Sequence, residues 1–261
     1  NPARSRPNLS IVTRAAASRI LFDGKRATGV AYRDAGGIEH IVKARAEVIL
    51  SSGAIGSPQL LMVSGIGEAD HLRDHGITVR HDRTGVGKNM QDHLQARLVF
   101  KCKEPTLNDE VRSLLDQARI AVKYALRRSG PMAMAASLAT GFMRTGDHVD
   151  TPDIQFHVQP WSADSPGAGV HPFSAFTMSV CQLRPESRGM IRLASSDAAV
   201  YPKIHPNYRS TETDCRTIVE GIKIARRIAR HAPLTDKISD EFRPDASLGI
   251  DDYDGTLNWA R

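Results

Sequence analysis

Aromatic residues are scarce: Phe, Trp and Tyr make up 5% of 261 residues, and they do not interleave with basic ones. Single-stranded nucleic acid is held by aromatic stacking in a cationic groove, so the net charge of +6 implies no such partner. No long basic run backs a groove either. The densest pairs, Arg127-Arg128 and Arg226-Arg227, fall in expected helices and read as solvated faces. Three cysteines, Cys102, Cys181 and Cys215, are odd in number and far apart. They suit reduced thiols in a cytoplasmic protein better than a disulfide framework or a zinc site. No apolar run approaches the ~18 residues of a membrane-spanning helix, and no signal-peptide pattern opens the chain. HExxH, CxxC, GxSxG, a Walker loop and a GxGxxG after a strand are all missing. Ten histidines show no metal-ligand spacing.

What is present is a chain with 41% hydrophobic residues, enough for one large or two small domains with a real core. Leu9–Val12, Ser18–Phe22, Ala27–Arg33 and Ile38–Ala44 are short runs joined by turns such as Asp23-Gly24 and Ala35-Gly36-Gly37. The first two are apolar-rich and the last two alternate, and short strands joined by tight turns predict a β-meander. Glu68–His75 reads as a short helix closed by Gly76, followed by a strand at Ile77–Val79. Leu94–Cys102 alternates as a strand, and Asn108–Arg128 has the longest helical pattern, with Leu114, Leu115, Val122 and Leu126 near one face. Met132–Ala136 reads as a buried loop or strand entry. Asp153–Pro160, Phe176–Leu183 and Met190–Ala194 read as strands, and Tyr201–Pro206 as an extended segment. Thr211–His231 is a second amphipathic helix. Asp236–Arg261 is acidic and irregular, with a last helix from Asp252. The fold class is α+β.

Glu47–Gly67, EVILSSGAIGSPQLLMVSGIG, organises the rest. Val48–Leu50 reads as a buried strand that breaks at Ser51-Ser52-Gly53. Ser57-Pro58 then has the form of an N-cap with proline at the first helical position. A strand running through glycine into a helix N-terminus offers free amides to an anion; an ordinary strand–turn–helix crossover has the same spacing. In the Asp92-His93 pair, a hydrogen bond bracing a loop is the reading that adjacent positions favour, with a proton relay as the alternative.

Gly53–Gly67 resembles, along its whole length, the second signature of the glucose–methanol–choline (GMC) flavoprotein oxidoreductases. Companion stretches fall in family order: Arg6–Thr13, Gly85–His93, Ser187-Arg188-Gly189 and Pro206-Asn207-Tyr208. The resemblance is nearest to the choline dehydrogenase and alcohol dehydrogenase branch. It implies an α/β FAD-domain part with a β-meander over residues 1–93. A substrate domain of antiparallel sheet flanked by helices follows over residues 94–261. The family's N-terminal GxGxxG unit and its C-terminal catalytic segment with a histidine pair are not found, so the chain is expected to be a middle fragment holding no catalytic residue of its own.

The implied cofactor is FAD. Carried over by position, Ala17 contacts the adenine through its backbone, and Gly53 lies by the ribose–phosphate portion. His157, His171 and Phe173 are candidates for the substrate pocket. Trp161 with Phe173 could cage a quaternary ammonium. The implied reaction oxidises a primary alcohol, choline-like or other, to an aldehyde by hydride transfer to flavin N5, with a quinone or oxygen as electron acceptor. The partners are therefore a small-molecule alcohol and that acceptor, with no nucleic acid. Such dehydrogenases leave association with a membrane surface open. A stand-alone, non-catalytic binding module that inherited the substrate domain is the alternative reading.

Overall fold

The meander forms where alternation supplied it. In the computed structural model, which describes residues 2–135, 137–165 and 167–260, the early elements are β1 (Ala16–Asp23), β2 (Arg26–Arg33), β3 (Glu39–Lys43), α1 (Gly53–Val63), β4 (Ile66–Gly67), α2 (Ala69–Asp74), β5 (His81–Asp82) and β6 (Lys88–Met90). Next come β7 (Gln95–Cys102), α3 (Leu107–Arg112), α4 (Leu114–Arg127), β8 (Ala139–Met143), β9 (Ile154–Gln159) and β10 (Ala175–Gln182). The chain continues through β11 (Gly189–Arg192), β12 (Lys203–His205), α5 (Glu212–Ala229), α6 (Leu234–Lys237), β13 (Ile238–Arg243) and α7 (Tyr253–Trp259). Expectations that touch Asn1, Ala136, Pro166 and Arg261 lie outside the described residues.

The chain divides into two units. The first comprises residues 1–91 and 188–207, the second residues 92–187 and 208–261. In the first unit β1-β2-β3 is an antiparallel sheet, and β12-β11-β6 forms another. A small core gathers Met62, Leu72, Ile191 and Leu193. His71 completes this core as a neutral base: its Nε2 accepts the Leu193 amide proton at 2.9 Å, and burial holds its pKa below the ordinary histidine range. Glu68 beside it takes Lys88 at 2.8 Å and Arg192 at 2.6 Å.

Several expected elements of this unit differ. Leu9–Val12 and Val48–Leu50 are irregular and pair with no strand among the described residues, and Ile49 is 79% exposed. A strand exists only through a partner's hydrogen bonds, and an apolar run alone supplies none. Ile77–Val79 is likewise unpaired; the strand falls later, at β5, and pairs in parallel with β4. The helix after the signature's glycine begins at Gly53, not Ser57. Pro58 sits inside it, and Ser57 Oγ accepts from the Ser52 amide at 3.0 Å. Ser57 thus braces the turn from within.

The second unit is built on a five-stranded antiparallel sheet in the order β13-β7-β10-β9-β8. One face presents Ala96, Leu98 and Phe100, Met178 and Val180, and Ile154 and Phe156, packed against Ile218, Val219, Ile222 and Ala225 of α5. Gly221 permits that approach: a Cβ there would come within 2.5 Å of Val180 Cγ1. At the start of α5, buried Asp214 accepts from Gln182 Nε2 and from the amides of Glu186 and Ser187 at 2.8–2.9 Å. Burial alone would raise its pKa, but these donors prevail and hold the carboxyl below its usual range.

Three expectations are corrected here. The long helix is two, because Ser113 ends α3 and caps α4 by accepting from the Asp116 amide. α3 itself opens with a Thr106–Asp109 capping box. Met132–Ala135 is not buried: Pro131–Ala133 is a 3-10 turn and Met132 is exposed. The acidic region after Asp236 contains β13, an edge strand whose Glu241 reaches into the core to meet Arg226, with Nε–Oε1 at 2.8 Å.

Candidate functional site

The residues singled out in the sequence fall in three places. Ala17 is exposed on β1, an edge strand, opposite Tyr32 and beside a bulge at Ser18. An edge strand keeps backbone groups unpaired on its outer side, which suits a contact made through the main chain. Farther along that edge, the Ile20 amide donates to Ser64 Oγ of the α1 C-terminus at 2.8 Å.

Gly53 opens α1 with φ of +78°, a left-handed value that costs other residues but not glycine. A Cβ built there meets nothing within 4 Å, and residues 51–55 are all exposed. The turn is open backbone at the N-terminus of a helix, where the first amides have no partner within the helix. Such a surface fits a phosphate-bearing group.

The substrate-side candidates all belong to the second unit, on the sheet face opposite α5. His157 on β9 is half-buried between Thr140 of β8 and Ser179 of β10, with Nδ1 3.5 Å from Ser137 Oγ. His171 and Phe173 form a separate cluster around β13. Their rings stack with centroids 5.0 Å apart, and Phe242 meets both edge-on. Lys101 Nζ lies 5.4 Å from the Phe173 centroid and 5.3 Å from that of Phe242.

A polar network fixes the His171 loop. Buried Asn108 donates to Ser162 Oγ at 3.0 Å and to the Phe173 carbonyl at 2.9 Å, and accepts from the Ser162 amide. Ser162 Oγ stands 2.9 Å from His171 Nδ1, and Asp164 lies 3.2 Å from Nε2. His171 and then Arg243 hold the Asp164 carboxyl below its ordinary range. Both ring nitrogens of His171 are thus engaged with the chain itself. Trp161 offers its carbonyl to Thr177 Oγ1 at 2.9 Å.

Asp92 and His93 brace a loop. Asp92 accepts from the His93 amide at 2.9 Å and from the Tyr208 hydroxyl, while His93 Nε2 lies 3.1 Å from the Leu183 carbonyl. The hydrogen bond to Asp92, aided by burial, pushes the Tyr208 pKa up to about 12. Burial likewise raises the thiols of Cys102 and Cys181, which makes them poor nucleophiles.

Two concavities of this unit lie elsewhere. One of about 800 Å³ is lined by α3 and α4 residues such as Asp109, Ile120 and Arg127. Another, of about 410 Å³, is lined by Leu107, Met134, Leu138 and Phe176. Neither is lined by His157, His171 or Phe173. Reading strand by strand also missed Arg97 and Ser179, which the sheet register sets in line with His157. Among the described residues no three metal-ligating side chains converge, and no helix is long and apolar enough to cross a membrane.

Known proteins resemble this chain at three levels. A choline dehydrogenase described as oxygen-dependent, from Paraburkholderia phytofirmans, is 39% identical over 250 residues, covering 96% of this chain and 44% of its own length. The protein of the same description from Burkholderia pseudomallei is 39% identical over 259 residues, 99% of this chain and 46% of its own length. The chain thus spans under half the length of these relatives. Among solved structures, formate oxidase from Aspergillus oryzae superposes with a TM-score of 0.88 at 24% identity, over 99% of this chain and 50% of that one. Pyridoxine 4-oxidase from Mesorbium loti gives 0.77 at 23% identity, over 100% of this chain and 47% of that one. These likenesses bear on the fold. The N-terminal GMC oxidoreductase family model matches residues 1–95 and the C-terminal one residues 185–256. The signature stretch around Gly53 and the Ser187–Tyr208 companions fall inside those two matches, and the chain belongs to the GMC oxidoreductase family.

Proposed function

We propose that this chain is the cofactor-flanking and substrate-facing part of an FAD-dependent oxidoreductase acting on a primary alcohol, choline or another, and yielding the aldehyde. In this reading residues 1–93 are the later part of the FAD domain and residues 94–261 the substrate domain, except for the segment 188–207, which folds with the first unit. The observation that carries it is the Gly53 turn: an exposed, left-handed glycine at the head of α1, inside the family-matched region. Two exposed stretches of backbone in the first unit support a dinucleotide as the ligand. The Ala17 backbone on the β1 edge would take the adenine, and the open turn at Gly53 would admit the ribose and phosphate. When bound, the flavin supplies the hydride acceptor at N5. This chain's own part is to bind and orient. The polar sheet face with His157 and the loop of His171 and Phe173 would form the substrate wall, and oxygen or a quinone would take the electrons.

Production of the complete reading frame that contains this sequence tests the proposal. The expected product is yellow, with a flavin absorbance that bleaches when alcohol is added without oxygen. A colourless protein indifferent to added FAD would refute it. The 261 residues alone, holding no pyrophosphate-gripping GxGxxG loop, should bind FAD weakly or not at all. Tight calorimetric binding of FAD by these residues would overturn that part.

A further inference from the structure

Across the sheet face opposite α5, His157 stands in a row with two polar side chains that have been given no role, Arg97 and Ser179. The register sets Ser179 of β10 opposite Arg97 of β7 on one side and opposite His157 of β9 on the other. Residues paired this way point to the same face. The middle member is unusual: Ser179 is 1% exposed, and its hydroxyl has no hydrogen-bond partner among the described residues. Leaving a buried hydroxyl unpaired costs ~1–3 kcal/mol, and native folds do so sparingly. Arg97 beside it is half-buried, held by Gln159 Oε1 at 3.2 Å, with no carboxylate in ion-pair contact among the described residues. A cation partly withdrawn from water without a counter-ion is a site prepared for an anion.

The aromatic groups on this face point the same way. A quaternary ammonium needs an aromatic cage. Phe173 and Phe242 already hold one cation, the chain's own Lys101, which Asp240 secures at 3.1 Å. Asp164, the other carboxylate of the cluster, is taken by Arg243 at 2.6 Å and by His171. What the register leaves facing outward around Ser179 is Arg97 with the neutral amides of Gln95, Gln155 and Gln159. The carboxylate whose field reaches this face at Cys181 is Asp92, and it is already bound by the His93 amide and the Tyr208 hydroxyl.

We propose that the Arg97–Ser179–His157 row binds an oxyanion carried by the substrate, so that the substrate class is an anionic alcohol rather than a quaternary-ammonium alcohol. Arg97 supplies a forked, charged donor, and His157 supplies a second polar contact. Ser179, beneath them, is a positioning residue whose hydroxyl is free to support either neighbour when a ligand arrives. The proposal rests on the substrate-domain reading above.

The test is an NMR titration of the chain, following the Arg97 guanidinium and His157 ring signals, with sodium acetate, inorganic phosphate and choline chloride at matched ionic strength. Acetate or phosphate should move both signals saturably, and choline should not. Tighter binding of acetate identifies a carboxylate, and tighter binding of phosphate a phosphate group. Arg97→Gln should weaken the anion about tenfold or more, the effect of losing one charge-assisted hydrogen bond. Arg97→Lys should retain part of the binding, and serves if the glutamine variant fails to fold. Ser179→Ala should weaken binding less while leaving the His157 shift smaller at saturation. Saturable movement of these signals by choline, or an anion midpoint unchanged in Arg97→Gln, would overturn the proposal. In the complete flavoprotein, oxidation of choline in preference to hydroxy acids would also refute it while leaving the oxidoreductase reading intact. A colourless protein would refute the oxidoreductase reading and the substrate class with it, and the titration would then judge only whether the row binds an oxyanion.

Discussion

Helices α4 and α5 both carry a strong apolar stripe flanked by basic residues, and the second unit treats them in opposite ways. α5 lays Ile218, Val219, Ile222 and Ala225 on the sheet, and all four are buried. α4 buries nothing: Leu115 is 84% exposed and Leu126 is 79% exposed, while Ile120 and Tyr124 on the opposite side are half-buried. The difference lies in what each helix offers its neighbours. α5 has Gly221 where Val180 crowds the helix axis, Asp214 to tie its first turn to Gln182 and the 186–187 backbone, and Arg226 to reach β13. α4 has its Ser113 cap and charged residues, which stabilise a helix without docking it. An amphipathic stripe states that a helix is built to meet an apolar surface; it does not say which one.

Four substitutions sharpen that contrast. The largest effect should come from Arg226→Ala in α5. It strips Glu241 of its buried partner and frees the Leu248 carbonyl, which Nη2 reaches at 2.7 Å. Breaking a buried pair from one side costs about 3–5 kcal/mol. Burial already pushes the Glu241 carboxyl above its ordinary range despite Arg226, so the orphaned group would take up a proton more readily still. Urea unfolding read by circular dichroism measures the loss, and a change under ~1 kcal/mol would show the pair to be solvated. A smaller loss, about 1–3 kcal/mol, is expected for Gly221→Ala, because the new methyl would strike Val180. Alanine's better helix propensity works against that loss by ~1 kcal/mol, so a net gain in stability would mean that α5 stands off the sheet. The smallest effect belongs to α4. Leu115→Lys and Leu126→Lys should each stay within about 0.5 kcal/mol, as for other exposed sites. A loss above ~2 kcal/mol would reveal a surface that covers the stripe in solution.

Alternation made β2, β3, β7 and β9 legible, and apolar-rich runs did the same for β1 and β10, because each of those segments has a neighbour to pair with. The same logic misread Leu9–Val12 and Val48–Leu50, whose composition is strand-like but which have no pairing partner among the described residues. β13 was hidden for the opposite reason. Its sequence ISDEFR carries Glu241 on the core side, and only the distant Arg226 makes that placement tolerable. The division at Ser113 was visible in principle, since a serine three residues before an aspartate is a capping signal. The continuous apolar spacing overrode it. For the site, His157 could be assigned to a polar strand face from alternation alone. Arg97 and Ser179 could not be joined to it, because cross-strand register is a property of the pairing and not of any one strand. His171 was a reasonable pocket candidate by position, yet its surroundings are the chain's own Ser162 and Asp164.

The segment 188–207 has a consequence for synthesis. It supplies Ile191 and Leu193, half of the small core that also holds Met62 and Leu72, and β11 pairs with β6 only after residues 92–187 have been made. At roughly 5–20 residues per second, a ribosome leaves the first unit unfinished for about ten seconds while the intervening stretch emerges. Throughout that interval Met62 and Leu72 lack the packing of Ile191 and Leu193, and the imidazole of His71 lacks the Leu193 amide. The nascent chain would therefore leave part of that apolar core uncovered until β11 appears.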